Sequence, residues 1–530
     1  MAVAKKPQAA PAAARKAAAP RRLFRCTAST ASRIAYAVGF LLLFAFFYFV
    51  YGDVMLRAGQ QSYVSTSTDT LYYVLSRPFG SLYVVGRFLL LPSKWPWLFG
   101  LLMAVVMAVQ ARLADYVLSL PKSWRGVGFI VPAMQMGWMV WRGTNLYYKN
   151  EPGLITLIPV AALLLLLLLA ALKWGLAKWL RRPSSAVVQH VRPWGLLVAV
   201  VLVCAPSVWA LAENENVILT ARLQNLCDER EWDTIIEEAR AARRPSRAVA
   251  AYHAIALLET NQLVDGLFDI AYDYPKLRLD SLDGAEEYGL FLADCNLHAG
   301  LLNPAYRASM DQVVMHGPRV DHFKRMALCA LLSGEDALCR KYIHLVGRMP
   351  FEGEWVDYMT ACLRNRKLIA DDDMMAHILS LKPQEQRFEQ SYRYPAFLGY
   401  NIGLAQGADA TLHTSVAACL YSKDLQAAAY RIAIMAQKGM PMSAPLQQCV
   451  AILRLNHPEM ADQLPPVPAY VEEQYKLFLT DAKPYVKDRL GLRRALKEAW
   501  LGTFFYYYYA ENNDPDQVLK RETGSEAGVN

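Results

Sequence analysis

The sequence predicts an all-α protein, in which an N-terminal bundle of about five transmembrane helices precedes a soluble α-solenoid. The chain of 530 residues is 54% hydrophobic and has a mean hydropathy of +0.13, which is more apolar than is usual for a soluble protein of this length. Its apolar residues form long continuous runs up to residue 212 and recur about every 3.6 residues after it. The sign of the net charge changes at the same point.

This charge division excludes one class of protein. Residues 1–211 contain 22 Lys and Arg against four acidic residues, whereas residues 212–530 contain 34 Lys and Arg against 43 acidic residues. A nucleic-acid-binding protein defined by its overall positive charge would not confine that charge to its most apolar part. The sequence therefore predicts a basic membrane half, with the lipid bilayer as a partner, joined to an acidic soluble half.

Five stretches are apolar and long enough to be considered as spans, because a bilayer core takes about 20 helical residues. Trp and Tyr mark their ends, as is typical of the headgroup level. The predicted spans lie near 34–52, 95–111, 126–141, 154–172 and 194–212, in a transmembrane domain of residues 34–212. The first run could instead be a signal peptide. However, its 33-residue leading tail is too long for an n-region and no small-x-small site follows, so we expect an uncleaved anchor.

The positive charges predict the orientation. With five spans, 16 Lys and Arg lie on the side of the basic tail (residues 1–33) and six lie on the other side. The positive-inside rule then predicts a multi-pass protein of the bacterial inner membrane. Its N-terminus would be cytoplasmic and its C-terminal domain periplasmic.

Residues 71–93 leave an alternative open. If this segment also crossed the membrane, the counts would become 11 inside and nine outside, and the C-terminal domain would be cytoplasmic. Arg77 and Arg87 would then lie at membrane depth, at a cost of about 2.5–3.5 kcal/mol each near the centre. We therefore expect an interfacial or re-entrant segment.

Residues 213–511 are predicted to form a helical-repeat domain. Two helix pairs surround the turns at Ser333-Gly334 and Ser422-Lys423, with apolar residues on one face of each helix. Further helices are predicted at Glu231–Ala242, Arg247–Glu259, Ala285–Ala299, Glu354–Arg364, Met374–Leu381, Leu446–Leu455, Tyr470–Thr480 and Leu490–Tyr508. The Pro-rich Leu464–Pro468 is predicted to break the array, and the polar residues 512–530 to form a disordered tail.

This pattern of short helices and polar turns resembles a tetratricopeptide-like or related α-solenoid. No clean 34-residue consensus recurs, so the repeats would be degenerate. An irregular all-helical domain is the alternative.

The soluble half contains no recognisable cofactor or metal motif. Its seven cysteines include no C-x-x-C pair and fall mostly within predicted helices, which favours buried free thiols. Free thiols point to a reducing compartment, against the predicted topology, but the charge bias is the stronger evidence.

Asp371–Asp373, close to His377, is predicted to cap a helix rather than to hold a cation. The spacing of Gly399, Gly403 and Gly407 is typical of helix packing or a loop.

Six consecutive aromatic residues form the most unusual run of the sequence. We expect this run mainly to pack against neighbouring helices. One helix cannot turn six consecutive side chains toward a single core, so part of the run is the alternative candidate for an interaction surface. The run consists of Phe504, Phe505, Tyr506, Tyr507, Tyr508 and Tyr509.

One enzyme hypothesis comes from a resemblance to polytopic glycosyltransferases that use lipid-linked sugars. Those enzymes often carry an acidic residue in the first outer loop, and some have tetratricopeptide repeats. Asp53 follows the first span here, and Asp69 and Arg77 lie in the same loop. The resemblance implies that a carboxylate deprotonates an acceptor while the arginine holds a phosphate. Against it, the spans are few and the outer loops contain no D-x-D pair.

The whole layout resembles an uncharacterised family of bacterial multi-span membrane proteins with a C-terminal helical domain. The resemblance rests on Ser76–Leu91 (SRPFGSLYVVGRFLLL) and Thr503–Tyr509 (TFFYYYY). It implies no activity. The sequence therefore predicts a scaffold that binds other membrane or envelope proteins, with the glycosyltransferase-like enzyme as the alternative.

Overall fold

The computed structural model describes residues 26–65, 67–149, 151–180, 190–191, 194–272, 289–382 and 409–511. These residues are helical almost throughout, as predicted. The basic tail up to residue 25, Gly399, Gly403, Gly407 and the predicted disordered tail 512–530 lie outside the described residues.

The described part of the N-terminal half contains eight α-helices. They are α1 (Ala28–Ala45), α2 (Gly52–Gln60), α3 (Thr68–Leu75), α4 (Gly80–Leu90), α5 (Pro96–Val117), α6 (Ile130–Arg142), α7 (Leu154–Leu180) and α8 (Trp194–Glu213). A π-helical segment, Phe46–Val50, extends α1, and 3-10 turns cover Leu91–Lys94, Val127–Phe129 and Gly143–Leu146. Two short strands, β1 (Cys26–Thr27) and β2 (His190–Val191), pair antiparallel with Cys26 opposite Val191.

Four helices of this half are long and apolar enough to cross a membrane. They cover Thr30–Val50, Pro96–Val117, Leu154–Leu176 and Trp194–Glu213. These helices indicate an integral membrane protein. The one remaining predicted span, 126–141, forms a 3-10 turn followed by the 13-residue α6.

Contacts at one end of the bundle show how the helices alternate in direction. Asp115, near the end of α5, accepts hydrogen bonds from the Tyr36 hydroxyl of α1 (2.6 Å) and from the backbone N–H of Gly126 (2.7 Å). The backbone N–H of Gly195, at the start of α8, donates to the Ser123 carbonyl (2.9 Å). The beginnings of α1 and α8, the end of α5 and the approach to α6 therefore lie together.

The opposite end joins the other termini of these helices. The Asn214 amide, just after α8, donates to the Tyr51 hydroxyl (3.1 Å) beyond α1 and to the Val140 carbonyl (2.5 Å) near the end of α6. In α7, the Lys173 ammonium donates to the Val117 carbonyl (3.1 Å) at the first end. Residues 127–142 therefore run from one end of the bundle to the other, beside the four longer helices.

The segment 71–93 forms α4 and most of α3, and residues on both sides of it contact the soluble domain. Before it, the Tyr63 hydroxyl donates to the Leu345 carbonyl (2.8 Å). After it, the Lys94 ammonium donates to the Phe351 carbonyl. Several of its apolar side chains are exposed: Tyr72, Phe79, Leu82, Val85, Phe88 and Leu89.

The soluble half is a succession of short helices. They are α9 (Glu215–Glu229), α10 (Trp232–Ala241), α11 (Arg247–Glu259), α12 (Leu263–Gly266), α13 (Leu292–His298), α14 (Leu302–His316), α15 (Val320–Ser333), α16 (Asp336–Gly347), α17 (Gly353–Arg364), α18 (Lys367–Ala370), α19 (Asp373–Leu381), α20 (Asp409–Ser422), α21 (Leu425–Gln437), α22 (Ala444–Asn456), α23 (Ala469–Ala482), α24 (Arg489–Trp500) and α25 (Phe504–Ala510). Two 3-10 segments cover Pro458–Gln463 and Lys483–Tyr485. Consecutive helices pack on each other through α13, α14, α15, α16 and α17.

The sequence located most of these helices within one or two residues, with two clear errors. The helix predicted at Ala285–Ala299 begins only at Leu292 in the structure, and residues 285–288 of this prediction lie outside the described part of the chain. The predicted helix Leu490–Tyr508 is divided into α24 and α25. Gly502, between them, has a φ of +91°, a left-handed conformation that interrupts a helix and that glycine adopts without steric cost. Helices α9, α12, α14 and α18 had not been predicted from the sequence.

The cysteine and capping predictions are confirmed. All seven cysteines of the soluble half are free and buried: Cys227, Cys295, Cys329, Cys339, Cys362, Cys419 and Cys449. Within Asp371–Asp373, the Asp372 carboxylate accepts a hydrogen bond from the backbone N–H of Met375 (2.9 Å) and caps α19. No group of three or more His, Cys, Asp or Glu suited to a metal ion occurs among the described residues.

Candidate functional site

Helix α2 lies between the two halves and carries a charged residue into the interior. Val54, Met55 and Ala58 of this helix are completely buried, and Arg57 is only 2% exposed. An arginine in such a place is stable only if its charge is compensated and its N–H groups find acceptors. The soluble domain supplies the opposite charge and the acceptors for both Nη groups.

Arg57 binds two carboxylates of the soluble half. Its Nη2 donates to Oδ2 of Asp321 on α15 (2.7 Å), and its Nη1 donates to Oδ2 of Asp228 on α9 (2.8 Å). Gln61, just after α2, also donates to Asp321 (2.9 Å). Because Asp321 is buried whereas Asp228 is half-exposed, the Arg57–Asp321 pair forms the interior of this contact.

Arg325, one turn after Asp321 on α15, extends the network deeper into the soluble half. Its Nε donates to Oδ1 of Asp294 on α13 (2.5 Å), whose other oxygen accepts from the Tyr252 hydroxyl (2.7 Å). His322 lies against the same guanidinium, with 3.1 Å between His322 Nδ1 and Arg325 Nη1. Each described charge of this layer therefore has a charged or hydrogen-bonding partner.

Arg319 forms a second connection to the membrane half through neutral acceptors. It donates to Gln61 Oε1 (3.0 Å) and to the backbone carbonyls of Tyr147 (2.8 Å) and Tyr148 (2.6 Å), which follow α6. Burial lowers the pKa of Arg319 to about 10, and the opposing charge of Glu151 offsets this shift only in part. The guanidinium is still charged at neutral pH.

Electrostatics keep the central carboxylate ionised. Burial alone would raise the pKa of Asp321, but the adjacent Arg325 and Arg57 guanidinium groups outweigh burial and lower it. Burial, together with these arginines, lowers the pKa of His322 despite the opposing effect of Asp321, so this imidazole stays neutral. Asp321 is consequently a hydrogen-bond acceptor and not a proton donor.

The space beside this network is too small for a substrate. A cavity lined by Arg57, Tyr147, Gln224, Asp294 and Arg325, among others, has a volume of about 10 Å³. This volume holds roughly one water molecule. The arrangement joins the two halves of the protein.

Another buried ion pair, within the membrane half, joins α4 to the residues just before α7. Arg87 of α4 is 4% exposed and binds both oxygens of Glu151, just before α7, while its Nη1 donates to the Tyr63 carbonyl (3.0 Å). The pair also explains how an arginine is accommodated in a segment that is otherwise apolar.

Asp53 and Arg77, two of the predicted catalytic residues, have separate partners in the structure. Asp53, in the first turn of α2, is half-buried and accepts a hydrogen bond from the Asn225 amide (3.3 Å). Arg77 is half-buried and contacts Tyr73, with its guanidinium 4.6 Å from the ring centroid. No described contact joins Asp53 to Arg77, and the side chain of Asp69 lies outside the described residues.

The aromatic run packs mainly inside the domain. Phe504, Phe505, Tyr506 and Tyr507 are at most 1% exposed, and only Tyr508 and Tyr509 keep partial exposure. The rings of α25 stack against several helices, including contacts with Phe268 of the segment after α12 (4.7 Å from Tyr507) and Tyr475 of α23 (4.8 Å from Phe505). Other helices surround α25, so its four buried rings are core residues and not an exposed surface.

A thiol, an imidazole and a carboxylate also meet in the soluble half. Cys227 Sγ lies 3.8 Å from Nε2 of His298, whose Nδ1 is 2.6 Å from Glu259 Oε1. This order of groups occurs in cysteine nucleophiles. Here, however, burial and nearby carboxylates raise the pKa of Cys227 well above its usual range, which disfavours the reactive thiolate.

Comparison with known proteins identifies the family but not an activity. Residues 144–511 match a family described as "Family of unknown function (DUF6057)". The chain belongs to this family. No characterised protein and no solved structure matches the chain significantly. The DUF6057 region begins after α6 and contains Asp228, Asp294, Asp321 and Arg325, whereas Arg57 precedes it.

Sequence reasoning missed the Arg57 network. One signal was available in α15, where Asp321 and Arg325 stand at i, i+4 spacing just before the apolar second half of the helix. The partner of Asp321 could not be read in the same way, because Arg57 lies 264 residues away in the chain.

Proposed function

We propose that this DUF6057 protein is an integral membrane protein that presents a helical-repeat domain as a protein-binding scaffold in the bacterial cell envelope. The observation that carries the proposal is the buried contact of Arg57 with Asp321, which fixes the soluble half on the membrane half. A domain held in this way keeps a constant position relative to the bilayer. Such a position suits a platform for other proteins.

The order of the bundle helices supports five crossings. Residues 127–142 connect the Asp115 end of the bundle with the Asn214 end, in the same manner as the longer helices. An odd number of crossings places the soluble domain opposite the basic tail. With the positive-inside rule, the tail is then cytoplasmic and the domain faces the periplasm.

The segment 71–93 is interfacial in this proposal. Its flanking residues Tyr63 and Lys94 both contact the soluble domain, which supports a segment that begins and ends on the same side. The buried Arg87–Glu151 pair fits a place at the edge of the bilayer better than one at its centre.

The soluble half supports a binding role by its construction. Consecutive antiparallel helices, as in α13 to α17, are the units from which tetratricopeptide-like solenoids build extended binding surfaces. We propose other membrane or envelope proteins as the partners. The glycosyltransferase alternative has less support, because Asp53 and Arg77 have separate partners and the cavity at the network holds roughly one water molecule.

Two matched substitutions test the scaffold. Leu331 of α15 is 1% exposed, so Leu331→Asp places an unpaired carboxylate in the core and should disrupt the packing of α15 on α16. Val314 of the neighbouring α14 is 73% exposed, so Val314→Asp is the control for an added charge. Tagged full-length chains would be cross-linked in membranes, solubilised and captured, and the partners identified by mass spectrometry.

The expected result is that the wild type and Val314→Asp retain the same partners, cross-linked to the soluble half, and that Leu331→Asp loses them. Limited proteolysis would verify that Leu331→Asp has loosened α15 and α16. Retention of every partner by a chain with a disrupted α15 would contradict the scaffold.

A further inference from the structure

An open groove between α16 and α17 differs electrostatically from the acidic domain that contains it. It has a cavity volume of about 450 Å³, within the range of small-molecule sites. Ile343, Val356 and Leu363 provide apolar lining, and Gly347 contributes no side chain. Four further residues provide basic groups along its length: Arg340, His344, Arg348 and Arg364.

The spacing of the basic residues places them along the same groove. Arg340, His344 and Arg348 recur every four residues and therefore lie on one face of α16 and its C-terminal end. Gly347 lies beside Val356 near the start of α17, so the two helices run antiparallel and Arg364 lies toward the Arg340 end. Arg348 and Arg340 are about 12 Å apart along the helix axis, at 1.5 Å per residue.

These arginines are available to a ligand. Arg340, Arg348 and Arg364 are all exposed, and within the described residues none of them has a carboxylate partner. By contrast, the nearby Arg366 is paired with Asp336. The groove therefore presents three exposed guanidinium groups in a half of the chain whose acidic residues outnumber its basic ones.

One end of the groove lies beside the membrane-facing part of the protein. Phe351, in the turn between α16 and α17, packs on Trp95 with 5.0 Å between ring centroids, and its carbonyl accepts from Lys94. Trp95 directly precedes the apolar helix α5, which is where aromatic residues mark the headgroup level. Arg348, three residues before Phe351, therefore lies at the bilayer end of the groove.

We propose that the groove between α16 and α17 binds the phosphate-bearing headgroup of an anionic membrane lipid. Guanidinium groups form short, charge-assisted hydrogen bonds with phosphate oxygens. Arg348 would contact the headgroup at the bilayer surface, and Arg340 and Arg364 would bind its more distant polar part. The apolar lining accommodates the glycerol carbons. This site does not depend on the scaffold function or on which leaflet faces the domain.

The test uses the full chain purified in a neutral detergent and reconstituted into nanodiscs. Phosphatidylglycerol in phosphatidylcholine discs is compared with phosphatidylcholine alone, and lipid retention is measured by native mass spectrometry after release. The test variant carries Arg340→Ala, Arg348→Ala and Arg364→Ala. The control variant carries Arg307→Ala, Arg489→Ala and Arg494→Ala, which remove three exposed arginines elsewhere in the same domain.

The wild type and the control variant should retain phosphatidylglycerol selectively, and the groove variant should bind it at least roughly tenfold more weakly. Circular dichroism and size exclusion should show that all three chains are folded, because the substituted residues are exposed. Equal retention by the groove variant, or equal loss by both variants, would overturn the proposal. Phosphatidylglycerol retention abolished by millimolar inorganic phosphate would also overturn it, because it would identify a site for free phosphate.

Discussion

Arg57 and Asp321 form an ion pair of 2.7 Å inside the protein, although 264 residues separate them in the chain. Arg57 belongs to the half that contains the apolar spanning helices, and Asp321 belongs to the soluble half. Burial removes most of the competition from water for both groups, so each depends on the other for compensation. The pair makes the docking of the two halves part of the folded structure rather than a loose association.

The first prediction is that Arg57→Ala separates or destabilises the halves. The substitution leaves Asp321 and Asp228 without their shared guanidinium, and removal of one partner from a buried pair costs about 3–5 kcal/mol. Arg222→Ala is the control, because the Arg222–Glu238 pair is partly exposed to water and should contribute less than about 1 kcal/mol. Thermal unfolding in detergent, followed by intrinsic fluorescence, measures both.

Arg57→Lys adds a finer test. The lysine ammonium keeps the positive charge but lacks the two Nη groups with which Arg57 binds two carboxylates. The stability of Arg57→Lys should therefore lie between those of the wild type and Arg57→Ala. Equal unfolding temperatures for Arg57→Ala and Arg222→Ala would show that the buried pair contributes nothing to docking.

The second prediction concerns the enzyme alternative. Asp53→Asn should leave the protein folded and its complexes intact, because an asparagine oxygen can still accept the hydrogen bond from the Asn225 amide. Complementation of a deletion strain and capture of the partners measure this outcome. If Asp53→Asn abolishes function in a stably folded chain with unchanged partners, Asp53 is catalytic and the scaffold account is wrong.

The sequence revealed the class of the fold because helix period and apolar length are local properties. The bounds of α11, Arg247–Glu259, agree with the structure at both ends. The break at Gly502 was also visible in the sequence, but the aromatic residues after it continued the helical pattern. The network of Arg57 could not be predicted, since it depends on how distant helices pack.

The burial of the aromatic run was equally difficult to predict from the sequence. Six consecutive aromatic residues indicate an exposed patch if one face of a helix meets the core. In the structure, neighbouring helices surround α25, and four of the rings are buried. The number of helices that pack around α25 decides whether its aromatic rings are exposed or buried.

The third prediction is a loss of stability in mild acid. His253 is fully buried in α11, and neither ring nitrogen has a hydrogen-bond partner among the described residues. Burial, with a smaller contribution from Arg240, lowers the pKa of His253 to about 3. The unfolded chain therefore binds a proton below about pH 6.5 that the folded chain does not bind.

Stability should consequently fall as the pH decreases from about 6.5 toward 3, by up to about 1.4 kcal/mol per pH unit for this residue. His253→Leu removes the titrating group and the two unpaired nitrogens, so it should make the pH dependence of stability shallower. The remaining slope comes partly from the buried His322, whose pKa is also lowered. His457→Leu replaces a half-exposed histidine and should leave the pH dependence unchanged. Unfolding temperatures between pH 8 and 4.5 give the comparison, and an equally steep fall in His253→Leu would refute the assignment.

The most direct test of the whole arrangement is the side of the membrane on which the helical domain lies. Cells expressing the chain with a tag within residues 1–33 would be treated with protease after permeabilisation of the outer membrane only. Five crossings and the positive-inside rule predict that the domain at 213–511 is digested while the tag survives. Digestion of the domain only after the inner membrane is broken would contradict the account.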